Sequence, residues 1–372
     1  MKAKTKADPK VDPTRKTSLL TPKRSAENRE IPQPLFIVFC RICGVETLAT
    51  DQLAAAQLVL LRICEEVEVD ETLQVWAMHS SVYGRFVACR TAAAALDVAQ
   101  RILLKTAEQG VRLAIGVAGE GRIELFDDLG MRPNLIGIPI NTAARLAFSV
   151  DSENSIVVEV YVVQEAQEQR SEYKNRFDRE HSEQVKQTQL RFRVLKYSAK
   201  KFGHLKKRSD ERETQVTVAV YDIVRYSEMD VEKAWQAVNG LREEVVGVLE
   251  SEPLGGRMLV EQKKLWYSPA GDGGVLVFSA DQADKAFELV ENLAKNCRQK
   301  GIEIRLAVSD GTVVIIGDNL PVGKGIVSTD KLCGHPATWQ ICARKTYFNG
   351  LPKTVRERWV TLDFGAHQSE PA

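Results

Sequence analysis

Two aspartates in the later half of the chain stand where metal chemistry is done. Asp222 closes the apolar run VTVAVYDIV, and Asp272 lies between glycines in AGDGG. The first run reads as a buried strand, and RMLVEQKKLWYS with GGVLVFS as a hairpin whose turn carries Asp272,. With that strand beside that hairpin, both carboxylates converge at one end of a sheet. Such a pair can hold two divalent cations, Mg2+ or Mn2+, roughly 3.5–4 Å apart, which acidify an attacking hydroxyl and neutralise a leaving pyrophosphate together. The flanking glycines let a triphosphate approach the backbone. Either feature alone is ordinary structure, a strand end or a turn; it is the combination that points to chemistry.

A second constellation lies in the earlier half. In NLIGIPINTAARLA, Asn141 and Arg145 are four residues apart and project from one face of a helix,. Read without its context, this is an amphipathic helix with one solvated arginine.

The elements that position these groups repeat. From Leu35 the chain reads as a strand (LFIVFC), a helix (DQLAAAQLVLLRICEEV), strands around LQVWAM and YGRFVAC, a helix (TAAAALDVAQRILLKTAEQG) and the strand VRLAIGVAG,. After a charged, helix-tolerant stretch over about 164–213, the same βαββαβ order returns with the strand ending at Asp222, the helix VEKAWQAVNGLREEVVGVLE, the hairpin, the helix ADKAFELVENLAKNCRQKG and the strand IEIRLAVSDG. The expected fold is α+β: two tandem ferredoxin-like sandwiches, residues 34–205 and 206–372, behind a tail 1–33 too poor in apolar residues to fold,. That superfold alone says little about function.

The motifs resemble those of class III nucleotidyl cyclases, the catalytic domains of adenylyl and guanylyl cyclases. Asp222-Ile223 and Gly271-Asp272-Gly273 match the metal motif, and Gly137, Asn141, Ala143 and Arg145 match a G-x-x-x-N-x-A-x-R helix. The resemblance covers about 35–160 and 214–348. It implies that Asp222, Asp272 and the Ile223 carbonyl bind two Mg2+ or Mn2+ ions, that Asn141 orients the ribose, and that Arg145 steadies charge on the α-phosphate as the 3′-hydroxyl attacks. Where the family has Gly this chain has Arg225, which narrows the phosphate loop or adds a phosphate contact.

Laying one copy on the other places Arg41 at the first metal position and Ser81 at the second, so the first copy holds no metal,. HPATWQICAR in the second copy aligns with the Asn/Arg helix through Gln340 and Arg344. In the resembled family the site forms between two domains packed head-to-tail, so Asp222 and Asp272 with Asn141 and Arg145 make one complete site. The opposite site is expected to be dead and open to a regulator. A homodimer is an alternative to closure within one chain.

Adenylyl cyclases read adenine with a Lys four residues before the second metal position and an Asp before the Asn helix. Here those positions are Ala77 and Asn134, with Trp76 and His79 nearby. An Asn amide can pair with a uracil or cytosine edge and Trp76 can stack on a base, unless Trp76 is core and Asn134 caps a turn. This is more similar to bacterial pyrimidine cyclases, which make cyclic UMP or CMP as antiphage signals, than to adenylate cyclases. A catalytically inactive pseudo-cyclase acting as a nucleotide-sensing or scaffolding module, and an adenylate cyclase, are the competing expectations.

Charge and composition fit a small-molecule enzyme. Lys and Arg number 51 against 50 Asp and Glu, with no case for nucleic acid or an anionic membrane surface,. No apolar run reaches the roughly 20 residues that span a bilayer and no secretory signal is read, so a cytoplasmic location is expected. The seven cysteines read as reduced and mostly buried, the Cys40-x-x-Cys43 pair included,.

Overall fold

The structure, a computed structural model, describes residues 33–357 except 82, 122, 127–133, 150–153, 186–187, 196–202, 206–211, 230, 252–254, 317–319 and 336. The expected N-terminal tail lies outside the described residues but for Gln33.

The first half runs β1 (Phe36–Ile42), α1 (Thr50–Glu68), β2 (Val75–Ser81), β3 (Gly84–Cys89), α2 (Ala92–Glu108), β4 (Leu113–Ala118), β5 (Ile123–Phe126), β6 (Asn134–Gly137), α3 (Ile138–Ser149), β7 (Ser155–Glu159), α4 (Val160–Gln169), β8 (His181–Val185) and β9 (Thr188–Leu195). Its sheet has the order β2-β3-β1-β4-β7-β9-β8, while β5 and β6 pair with each other as a separate arm. Helices α1 and α2 cover one face, where Leu53, Leu60, Ile63, Leu96, Ile102 and Leu103 meet Val38, Val87 and Ile115. Helix α3 covers the other face, packed on β4 and β1. There Ile140, Ala143 and Leu146 meet Ile37, Phe39 and Phe86. Helix α2 begins where the Thr91 hydroxyl accepts from the Ala94 amide at 3.2 Å, an N-cap worth about 1 kcal/mol,.

The second half repeats the pattern: β10 (Glu213–Ile223), α5 (Val231–Glu250), α6 (Gly256–Glu261), β11 (Leu265–Ala270), β12 (Gly273–Ser279), α7 (Ala283–Gln299), β13 (Ile304–Ile316), β14 (Leu320–Val322), α8 (Lys324–Cys333), β15 (Ile341–Ala343), α9 (Lys345–Gly350) and α10 (Lys353–Arg356). Its sheet has the order β11-β12-β10-β13-β14, with β15 parallel to β13. The apolar face of α7, Ala286, Phe287, Leu289, Val290, Leu293 and Cys297, is buried at helical spacing in the core it shares with α5.

The charged stretch after residue 164 differs from its helix-tolerant reading. Helix α4 ends at Gln169, and β8 and β9 then extend the first sheet. In β9 buried Leu190 and Phe192 alternate with Gln189, Arg191 and Arg193, a period of two hidden by arginines on the outer face,.

The halves meet along α1. The end of β13, with β14, lies against α1, so Val314, Ile316 and Val322 complete the first half's core. Strands β2 and β11 also touch. Asn141 on α3 meets Tyr226 of the second half, and Asp330 on α8 accepts from Tyr83 of the first.

Candidate active site between the halves

Asp222 is the next-to-last residue of β10, opposite Gly273 on β12 and Arg305 on β13. Asp272 sits in the turn between β11 and β12, and its carbonyl accepts from the Ile223 amide at 2.9 Å. That bond ties the end of β10 to the hairpin turn, so both carboxylates stand at one sheet end. Gly271 has φ +58, and a Cβ on Gly273 would lie 2.4 Å from the Tyr221 carbonyl oxygen. The turn therefore requires glycine twice, once for conformation and once for space.

Helix α3 brings the other pair. Gly116 on β4 lets it approach closely, because a Cβ there would lie 1.9 Å from the Ala143 carbonyl oxygen. Asn141 faces the hairpin across the interface, with its Oδ1 3.3 Å from where a Gly271 Cβ would stand. Its side chain is hydrogen-bonded to Tyr226, from the loop after β10. Arg145 lies beside Asp272 and Tyr226; burial lowers its pKa while those two partners favour its charge. Asp222, Asp272, Asn141 and Arg145 are thus gathered at one boundary between the halves.

The other sequence-predicted residues fall at its margins. Ile223 is buried, leaving only its backbone for chemistry. Arg225 adopts φ +55, a left-handed conformation that explains glycine in the resembled motif, and its guanidinium is engaged by Glu303 at 3.3 Å,. Asn134 opens β6, opposite Phe126. Trp76 and Ala77 are half-buried against the core under α3.

The strand register corrects the opposite site. Arg41 faces Gly84 as Asp222 faces Gly273, so the counterpart of Asp272 is Tyr83 and not Ser81. The position four residues before it is then His79, not Ala77. The proposed match of Gln340 and Arg344 to the Asn/Arg helix also fails. Residues 341–343 form β15, parallel to β13 as β7 is to β4, and Arg344 is exposed beyond it. The true counterpart of α3 is α8, entered from Gly323 as α3 is from Gly137, which puts Val327 at the Asn and Lys331 at the Arg position. A two-residue slip in a hairpin with an irregular β2, and a short strand mistaken for a helix, account for both errors.

This opposite site is filled by its own side chains. The Arg41 Nε donates to the Ala147 carbonyl at 2.8 Å and its guanidinium lies 4.7 Å over the Phe148 ring. The Tyr83 hydroxyl donates across the interface to the Asp330 carboxylate, and Lys331 stands 4.0 Å from Glu46. Burial pushes the Asp330 carboxyl above the ordinary carboxylate value, with nearby Asp222 adding to the shift and Tyr83 and Arg305 opposing it.

Sequence reasoning missed Arg305, Tyr226 and the Tyr83–Asp330 pair. Arg305 donates to Asp222 Oδ2, its Nε at 2.9 Å. An Arg between apolar residues at the start of the strand IRLAV was the available signal,.

These features define two ferredoxin-like domains with the class III cyclase fold in one chain, packed head-to-tail as a pseudo-dimer. A class III adenylyl cyclase-like ATP-binding protein from Pseudomonas aeruginosa is similar along most of its length: TM-score 0.50 at 11% identity, covering 87% of this chain and 86% of that one. The guanylyl cyclase Cya2 (TM-score 0.36, 13% identity) matches 44% of this chain and 91% of its own. An adenylate cyclase from Trypanosoma brucei (TM-score 0.33, 14% identity) covers 46% of this chain and 93% of its own. No protein-family model and no curated protein matches the sequence. At these identities the likeness is one of fold. No described helix is long and apolar enough to cross a membrane.

Proposed function

We propose that the chain is a nucleotidyl cyclase that converts a nucleoside triphosphate to a 3′,5′-cyclic monophosphate and pyrophosphate at its single interdomain site. The observation that carries this reading is the convergence of Asp272, from one half, with Asn141 and Arg145, from the other, beside Asp222. A site of this composition has hard oxygen donors on one wall and an amide and a guanidinium on the other, as in-line attack on an α-phosphate requires.

The donor set fits divalent cations. Asp222, Asp272 and the Ile223 carbonyl offer only oxygen, which suits Mg2+ or Mn2+. No cluster of three or more His, Cys, Asp or Glu side chains able to hold a metal occurs among the described residues. The remaining ligands would then come from the triphosphate and water. When bound, the ions acidify the attacking 3′-hydroxyl and neutralise the pyrophosphate. Arg145, held beside Asp272, answers the charge that develops on the α-phosphate, and Asn141 orients the ribose. The base proposed is a pyrimidine ahead of adenine, because neither His79 nor Asn134 repeats the Lys and Asp that read adenine in the resembled family.

A second reading is favoured by one observation. Arg305 engages Asp222 at 2.9 Å, so a cation there competes with a guanidinium. A site weakened in this way binds nucleotide without turnover, and the P. aeruginosa neighbour is described as an ATP-binding protein. Incubation of the purified chain with each of the four NTPs and Mn2+, with mass detection of products, separates the two. A cyclic monophosphate supports the cyclase; metal-dependent triphosphate binding without any cyclic product supports the sensor.

A further inference from the structure

Tyr226 sits in the loop after β10, only 9% exposed, with its ring packed in the second half's core. Packing accounts for the ring, and a phenylalanine would fill the same space. It does not account for the hydroxyl. The neighbouring Tyr221 hydroxyl is bonded within its own half, to Tyr267 at 3.2 Å, whereas the Tyr226 hydroxyl meets Asn141 from the other half. The Asn141 amide oxygen faces the hairpin, on the side of Gly271, which leaves the amide nitrogen for the tyrosine hydroxyl.

An unrestrained Asn amide can present either its donor or its acceptor to a ligand. Here the nitrogen is taken up by a ring that the core holds still, and the oxygen is left turned toward the turn that carries Asp272. We propose that Tyr226 is a positioning residue that fixes the orientation of the Asn141 amide across the domain interface. It acts only when the halves close, so it makes the geometry of the first half's catalytic helix depend on docking of the second. Arg145 and Asp272 border the same hydroxyl, and the tyrosine therefore stands between the two walls of the site. This inference rests on the cyclase reading for its effect on turnover, though not for the contact itself.

The test is a double-mutant cycle of Tyr226→Phe and Asn141→Ala in the full chain, read by steady-state kinetics with the preferred Mn2+–NTP and by thermal unfolding without nucleotide. Tyr226→Phe is expected to lower kcat roughly fivefold, the worth of one hydrogen bond, with KM within about twofold. In the Asn141→Ala background it is expected to change nothing further, and the unfolding midpoints are expected to be non-additive in the same way. An undiminished effect of Tyr226→Phe in the Asn141→Ala chain, or a change in KM alone, overturns the proposal. Should the wild-type chain turn over no NTP, the cyclase reading fails by itself. The unfolding cycle then decides the positioning role: coupling supports the Tyr226–Asn141 contact, and additivity overturns it.

Discussion

The two glycines flanking Asp272 predict different failures when each is replaced by alanine. Gly271 has φ +58, and an added Cβ would stand 3.3 Å from Asn141 Oδ1, a side-chain atom able to give way. The left-handed conformation costs an alanine about 1 kcal/mol, and the slight crowding adds a fraction. At roughly 2–4 °C per kcal/mol, Gly271→Ala should lower Tm by a few degrees and leave the chain folded. Its larger effect falls on turnover, through the displaced Asn141. Gly273 is different: its Cβ would meet the Tyr221 carbonyl oxygen at 2.4 Å and the Asp222 Cα at 3.2 Å, both backbone. Relief requires β10 and β12 to part where the carboxylates are anchored, an overpacking cost of about 1–3 kcal/mol with loss of metal-dependent nucleotide binding. Differential scanning calorimetry and calorimetric titration with a Mn2+–triphosphate analogue measure both effects. If Gly273→Ala binds the analogue as wild type does, or Gly271→Ala is the more damaging to binding, the argument from close approach is wrong.

Asp222→Ala and Arg145→Ala are each expected to reduce turnover about 100-fold or more, and mixing the two chains is expected to restore none, since one chain supplies both walls of its site; recovered activity on mixing would show that halves pair between chains. Tyr83→Phe removes a donor from a carboxylate whose burial already costs stability, and is expected to destabilise the chain by about 1–3 kcal/mol in urea titrations. Asp330 carries a pH signature. Because burial holds its folded-state pKa above the unfolded value, its stability contribution is full below the ordinary carboxylate pKa and is lost as pH rises through the folded value,. In metal-free buffer, Asp330→Asn should therefore flatten the fall in urea midpoint from about pH 4 upward, and an unchanged slope would reject the assignment.

Much of this architecture is legible because the two periods differ. Runs such as FIVFC and VAVY are apolar throughout, as strands covered on both faces are, and α2 and α7 bury one face at helical spacing,. The pairing of Asp222 with Asp272 is readable because each lies at an element boundary whose place the pattern fixes, and that of Asn141 with Arg145 because they stand four apart on one helix,. What sequence hides is register. Ser81 and Tyr83 are two residues apart in a hairpin, so only the observed pairing of Arg41 with Gly84 tells which one is the counterpart of Asp272,. Likewise β15 is three residues long and takes its identity from β13, not from its own composition. Arg305 was overlooked because nothing local marks a strand arginine as the partner of an aspartate 83 positions away.

The filled opposite site explains why the halves cannot exchange roles. At both boundaries a tyrosine of one half meets a helix of the other: Tyr226 reaches Asn141 on α3, and Tyr83 reaches Asp330 on α8. At the first boundary the tyrosine stands beside the Asp272 carboxylate. At the second the tyrosine takes that place, and the carboxylate has moved onto the helix. An aspartate restored at position 83 would face Asp330 in a partly desolvated interface, and two like charges there repel strongly. Restoring it would also leave Arg41 tied to α3, Val327 in the amide position and Lys331 on Glu46. No single substitution rebuilds that site. The Tyr83–Asp330 and Glu46–Lys331 contacts that fill it also join the halves, and Asp330, felt by both Tyr83 and Asp222, links the filled boundary to the Asp222 end of the other.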